Sequence, residues 1–73
     1  MFLNKIKFFR QKQGLTVKAL SKKSELAVGY LSDLENGKSN NPTKDTMERI
    51  AIALGQTVPE VFYSYDFNKH IQR

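Results

Sequence analysis

Residues 16–35, TVKALSKKSELAVGYLSDLE, decide how this chain folds. The stretch contains two short segments with helical spacing and a polar break between them. Thr16 is suited to cap the first segment, because its hydroxyl can accept from an amide of the first turn. Ser24 and Glu25 interrupt the pattern before Leu26 resumes it. Leu20, Leu26, Leu31 and Leu34 fall where they can pack the pair onto other helices, leaving the opposite face of the second segment open. A bihelical unit with one exposed helix suits the major groove of DNA, although two turns of an ordinary helical bundle share the pattern.

Outward from this centre the chain reads as all-helical. Residues 1–13 are expected to form the first helix, with Asn4 as a cap, Leu3, Ile6, Phe9 and Phe8 on its apolar side, and Gly14 as its stop. Leu15, just before Thr16, is placed to fold back across the turn as a hydrophobic staple. Helices are then expected over 17–23 and 27–35. Asn36 and Gly37 stop the second of these, since both tolerate left-handed backbone. After a Ser-, Asn- and Lys-rich loop, Thr43 caps a fourth helix with Met47, Ile50, Ala51 and Leu54 inward, ended by Gly55. Thr57, Pro59 and Glu60 open a short fifth helix whose Val61 and Phe62 can close the core.

Seventy-three residues make one small domain, close to the lower limit for a self-supporting core. Its last segment, YSYDFNKHIQR, is unusually aromatic for a tail. It can cover the core or be buried by a second copy of the chain, and Val58, Val61, Phe62, Tyr65 and Phe67 are the dimer-interface candidates.

The net charge of +5 is unevenly distributed. Residues 1–24 hold seven basic side chains and no acidic one, whereas residues 25–73 hold five basic and seven acidic groups. Phosphate contact benefits from such an asymmetry. Lys18, Lys22, Lys23 and Lys38 are the foremost phosphate candidates, joined by the Tyr30 hydroxyl and by Asn36. A basic, aromatic start also fits an interfacial membrane helix, but the core of so small a domain needs that apolar face.

Other chemistries have little to build on. There is no cysteine, so no disulfide, thiolate nucleophile or thiolate metal site is available. The lone histidine, His70, has no paired nucleophile, and the carboxylates are scattered. The expectation is a non-enzyme with no cofactor and no metal. No apolar run approaches the roughly 18 residues of a membrane span, and no export signal is evident, so a cytoplasmic location is expected. Recognition of RNA lacks an aromatic stacking platform.

The ordered set G-L-T at residues 14–16, Y-L-S-x-L-E-N-G at 30–37, T-M-E-R-I-A-I-A-L-G at 46–55 and T-V-P-E-V-F at 57–62 resembles the phage repressor/Cro-like, or XRE-like, helix-turn-helix regulators. The resemblance covers roughly residues 6–62. It implies a compact five-helix DNA-binding fold and a homodimeric transcriptional regulator, first of all a repressor, on a palindromic or partly palindromic operator. A restriction–modification controller, acting as both activator and repressor, shares the pattern. A protein-interaction module that does not bind DNA is the alternative of a different class.

The same resemblance implies base contacts from Ala27, Val28, Gly29, Ser32 and Asp33, and a structural ion pair between Arg10 and Glu35. The sequence departs from the family pattern at informative positions. Valine stands at 17 and 28 where many relatives carry glutamine, which removes the bidentate adenine contact. Ser21 replaces a frequent alanine, and Glu25 stands where glycine is common.

Overall fold

The computed structural model describes residues 4–39 and 42–63. Among these residues the chain forms four α-helices, α1 (Ile6–Lys12), α2 (Val17–Ser24), α3 (Val28–Glu35) and α4 (Lys44–Leu54), followed by one π-helical turn (Pro59–Tyr63). No strand occurs among the described residues.

Local chemistry explains most of the boundaries. Thr16 and Thr43 have extended backbones and accept, through their hydroxyls, the amides of Ala19 and Thr46. Each thereby satisfies one of the donors that a helix start leaves open. Gly55 closes α4 in the left-handed region at φ 69°, where a Cβ would be strained. At the last turn the Thr57 hydroxyl accepts from the Glu60 amide, and the Glu60 carboxylate accepts from the Thr57 amide at 2.9 Å. That reciprocal capping box holds the Glu60 carboxyl below its ordinary pKa, the Thr57 backbone donor being the main cause.

Several expected boundaries shift. Helix α1 begins at Ile6, and Asn4 works as a tie between elements. Its Oδ1 accepts from the Ile6 amide, while its Nδ2 donates to the Leu34 carbonyl at the end of α3. Ser24 belongs to α2 and not to the break: it is buried, with its hydroxyl donating to the Leu20 carbonyl at 2.8 Å. Asn36 stays in right-handed backbone at φ −93°, leaving Gly37 alone to take the left-handed turn. Phe8 is 54 % exposed and lies off the apolar stripe, with the Lys5 and Lys12 ammonium groups 5.9 and 5.7 Å from its ring centre.

The core draws on every element. Ile6, Leu20, Leu31, Leu34, Ile50, Leu54 and Val61 are all under 2 % exposed, with Ala51, Ala53 and Phe62 beside them. Burial of each large side chain contributes about 1.5–3 kcal/mol. Phe9, Leu15, Val17, Leu26, Tyr30, Met47 and Val58 pack around this centre. Two further polar ties cross it: the Gln13 amide donates to the Leu54 carbonyl, and the Lys5 backbone amide to the Val61 carbonyl, both at 2.7 Å. The first caps the C-terminus of α4 and the second fastens the last turn to the start of α1.

The turn between α2 and α3 carries stored strain. Glu25 sits at φ 61°, the one non-glycine residue with positive φ among those described. Its carboxylate reaches Arg49 at 3.2 Å, but both side chains are exposed and Arg49 keeps a separate bond to Asp45. Left-handed backbone disfavours a Cβ by more than this screened contact returns. Glu25→Gly is therefore expected to stabilise the domain by about 0.5–1 kcal/mol, read as a higher urea midpoint. A lower midpoint would show that the Arg49 contact outweighs the strain.

Candidate nucleic-acid interface

The exposed side of α3 is built by holding its other side firmly. Leu31 and Leu34 are fully buried, and the half-buried Tyr30 ring packs against the core. At the C-terminal end, Arg10 of α1 grips Glu35 through two bonds, Nε to Oε2 at 2.6 Å and Nη2 to Oε1 at 3.1 Å. The two side chains are only 11 % and 5 % exposed. Arg10 Nη1 also donates to the Leu15 carbonyl at 2.8 Å, so one guanidinium joins α1, the entry to α2 and the end of α3. Planar, bidentate geometry of this sort fixes orientation as well as distance.

The N-terminal part of α3 is left open. Ala27 is its cap, with extended backbone and no side-chain capping bond. Ala27, Val28 and Gly29 are exposed, Val28 with 43 % of its surface free. Asp33 is exposed one turn further on, and Ser32 is half-buried beside it. A Cβ built on Gly29 would meet nothing within 4 Å, and its φ is ordinary, so neither packing nor backbone requires glycine there. The candidate base contacts thus divide into a near-bare apolar start, residues 27–29, and a polar pair, Ser32 and Asp33. Val17, the other valine of the pair noted in the sequence, is half-buried against the core and serves packing.

The phosphate candidates also separate. Lys18 and Lys22 are exposed four residues apart on α2, a spacing that sets them on one helical face. Lys23 lies on another flank, lining a shallow depression with Ser24, Glu25, Arg49 and Ile52. Asn36 and Lys38 are exposed after α3, but the backbone there is committed internally. The amides of Asn36 and Gly37 donate to the Ser32 and Leu34 carbonyls, and those of Lys38 and Ser39 both donate to the Asp33 carbonyl. A phosphate at this loop would therefore have to be met by side chains. The Asn36 side chain itself rests 3.5 Å from the Ser32 hydroxyl.

Two of the dimer-interface candidates, Val61 and Phe62, are 1 % and 3 % exposed inside the chain's own core. A domain this small needs them there, and they have almost no surface left for a partner. Val58 is half-buried, and Tyr63 is 43 % exposed with its hydroxyl 3.4 Å from the Met47 sulfur. Tyr65 and Phe67 lie outside the described residues. No helix among the described residues is long and apolar enough to cross a membrane.

The sequence did not reveal the long-range ties of Asn4 and Gln13, nor the shorter tie of Ser21 to Leu26. Only for Ser21 was there a signal, a hydroxyl at a position where the resembled family usually has alanine.

A sequence model described as helix-turn-helix matches residues 6–61. The chain belongs to the helix-turn-helix family. Its type is XRE-like, a family of transcription-regulator DNA-binding domains and not of enzymes. The HTH-type transcriptional regulator DdrOP3 of Deinococcus deserti is 33 % identical over 63 residues, covering 86 % of this chain and 48 % of DdrOP3. The chain thus spans about half the length of that relative.

Among solved structures, the biofilm regulator SinR of Bacillus subtilis, in complex with DNA, superimposes with TM-score 0.72 at 30 % identity. The match covers 74 % of this chain and 86 % of that one. The clp gene regulator ClgR of Corynebacterium glutamicum gives TM-score 0.76 at 28 % identity, over 92 % and 70 % of the two chains.

Proposed function

We propose that this domain binds double-stranded DNA sequence-specifically, as a homodimer on a palindromic or partly palindromic operator, and represses transcription from the promoter it occupies. The observation that carries the reading is the N-terminal face of α3, where Ala27, Val28 and Gly29 are exposed on a helix whose inner side and far end are buried and ion-paired. A rigid helix with a slim, solvent-facing start is what entry into a major groove requires. The DNA complex of SinR supports the reading, since the two domains superimpose at 30 % identity.

In this reading Val28 packs on a thymine methyl, and Gly29 lets the helix approach the base edges closely. Ser32 and Asp33 supply the polar readout. Lys18 and Lys22, with Asn36 and Lys38, fix the domain on phosphates, which position without specifying sequence. Val58 and Tyr63 form the described part of the surface that a second copy would cover. Repression needs nothing beyond occupancy, because a dimer seated on a promoter blocks polymerase.

Selection from random duplexes, followed by footprinting, tests this directly. The expected product is an inverted repeat of half-sites about one helical turn, roughly 10 base pairs, apart or a multiple of that. A single unrepeated half-site would contradict the dimer, and no enrichment at all would contradict DNA recognition. Binding should weaken steeply with salt. Replacing Lys18 and Lys22 by glutamine takes four phosphate contacts from a dimer and is expected to flatten that dependence by about 3.6 units of logarithmic slope, at roughly 0.9 per contact. An unchanged slope would remove both lysines from the interface.

A further inference from the structure

Three helix starts in this domain are managed in two ways. Thr16 and Thr43 cap α2 and α4 with their own hydroxyls, but α3 begins at Ala27, which has no side-chain group to offer. The segment just before it is held from elsewhere. Ser21, half-buried in the middle of α2, donates its hydroxyl to the Leu26 carbonyl, and the Ser21 carbonyl accepts the Leu26 amide at 3.2 Å. One residue of α2 therefore clasps one residue of the turn through two bonds running in opposite directions. The Ser21 carbonyl also accepts from the amide of Glu25, the left-handed residue between them.

The backbone half of this clasp is available to any residue at position 21. The hydroxyl half is not. Without it the Leu26 carbonyl loses its side-chain donor, and the chain entering α3 is held on one side only. Leu26 also packs its side chain against the core, so the clasp and the packing together set where Leu26 sits. Two residues later the chain reaches Val28.

We propose that Ser21 is a positioning residue for recognition: its hydroxyl bond to Leu26 fixes the direction in which α3 leaves the turn, and so the register in which Val28 and Gly29 meet the bases. The inference rests on the proposed DNA-binding reading, but its structural half does not depend on DNA. Ser21 is only half-exposed and carries no charge, so its effect on sequence-independent affinity should be slight. Discrimination should suffer instead, because a base contact depends on placement to a fraction of an ångström, whereas a mobile lysine follows its phosphate.

The test compares Ser21→Ala and Ser21→Thr with the parent chain on two duplexes, the selected operator and its scrambled version, together with amide hydrogen exchange. For Ser21→Ala the preference for the operator is expected to fall about three- to tenfold, the scale of one net hydrogen bond. Affinity for scrambled duplex should stay unchanged, and exchange should quicken around residues 26–31 while α1 and α4 keep their protection. Ser21→Thr retains the hydroxyl and should restore the preference. An alanine variant as selective as the parent overturns the proposal. So does equal weakening on both duplexes with exchange raised throughout, which would mark a general loss of stability. If the parent itself shows no preference between duplexes, the DNA reading fails. The exchange data then decide the clasp, with unchanged protection at residues 26–31 refuting it.

Discussion

Glu35→Ala is expected to destabilise the domain by about 3–5 kcal/mol, enough to leave much of the protein unfolded at room temperature. The loss follows from what stays behind. Arg10 is 11 % exposed at its side chain and would keep its bond to the Leu15 carbonyl while losing both carboxylate bonds. The desolvation cost of its buried charge would then stand without its opposing partner. Arg10→Ala produces the mirror situation: it strands the Glu35 carboxylate and also deprives the Leu15 carbonyl of its donor.

A double variant, Arg10→Met with Glu35→Leu, removes the charges together and fills the space. It should be more stable than either single variant, because a buried pair repays little beyond the cost of its own burial. Urea titration followed by circular dichroism measures all three. A loss below about 1 kcal/mol for Glu35→Ala would mean that the pair behaves as an exposed one.

This ion pair spans 25 residues, and it was legible in the sequence only through the family resemblance. Thr16, Thr43, Gly55 and the Thr57 cap were legible because their chemistry is local: donor and acceptor lie three residues apart or the backbone angle is set on the spot. Glu60 was legible only as a charge suited to a helix start, and the structure adds its return bond to the Thr57 amide. Ser24 was misread for an equally local reason. Serine favours breaks and caps, but this one turns its hydroxyl back onto the Leu20 carbonyl and joins the helix. Val61 and Phe62 fit both a core and an interface by composition, and only the fold shows that they are buried inside the domain's own core.

Contacts between distant residues leave no local trace. Asn4 reaches a carbonyl 30 residues away and Gln13 one that is 41 residues away. The commitment of the amides of residues 36–39 to carbonyls of α3 is short-range, over three to six residues, but it joins backbone groups and no side chain announces it. It moves any phosphate contact there from backbone to side chains. The candidate readers at 27–29, by contrast, were recognisable from the family pattern, and the structure adds that they are exposed.

Gly29→Ala should separate stability from recognition by moving them in opposite directions. The residue occupies the first turn of α3 with ordinary φ, and an added Cβ has no neighbour within 4 Å. Alanine there loses less conformational freedom on folding than glycine, so the domain should gain about 0.5–1 kcal/mol. Nothing inside the fold offsets that gain, which makes the glycine costly to the free protein. In the proposed complex the same methyl group would stand between the helix and the base edges. It would push Val28 off its thymine and lengthen the polar contacts behind it.

Operator affinity is then expected to fall at least tenfold, on the scale of about 1–3 kcal/mol for one misread base pair, while affinity for scrambled duplex holds. Thermal melting and titration of the two duplexes give both numbers from one preparation. A variant that is more stable and binds its operator as well as the parent would take Gly29 out of the interface, and with it the close approach of α3 to the groove. A variant that is more stable and less selective would identify position 29 as a place where the fold gives up stability so that DNA can come near.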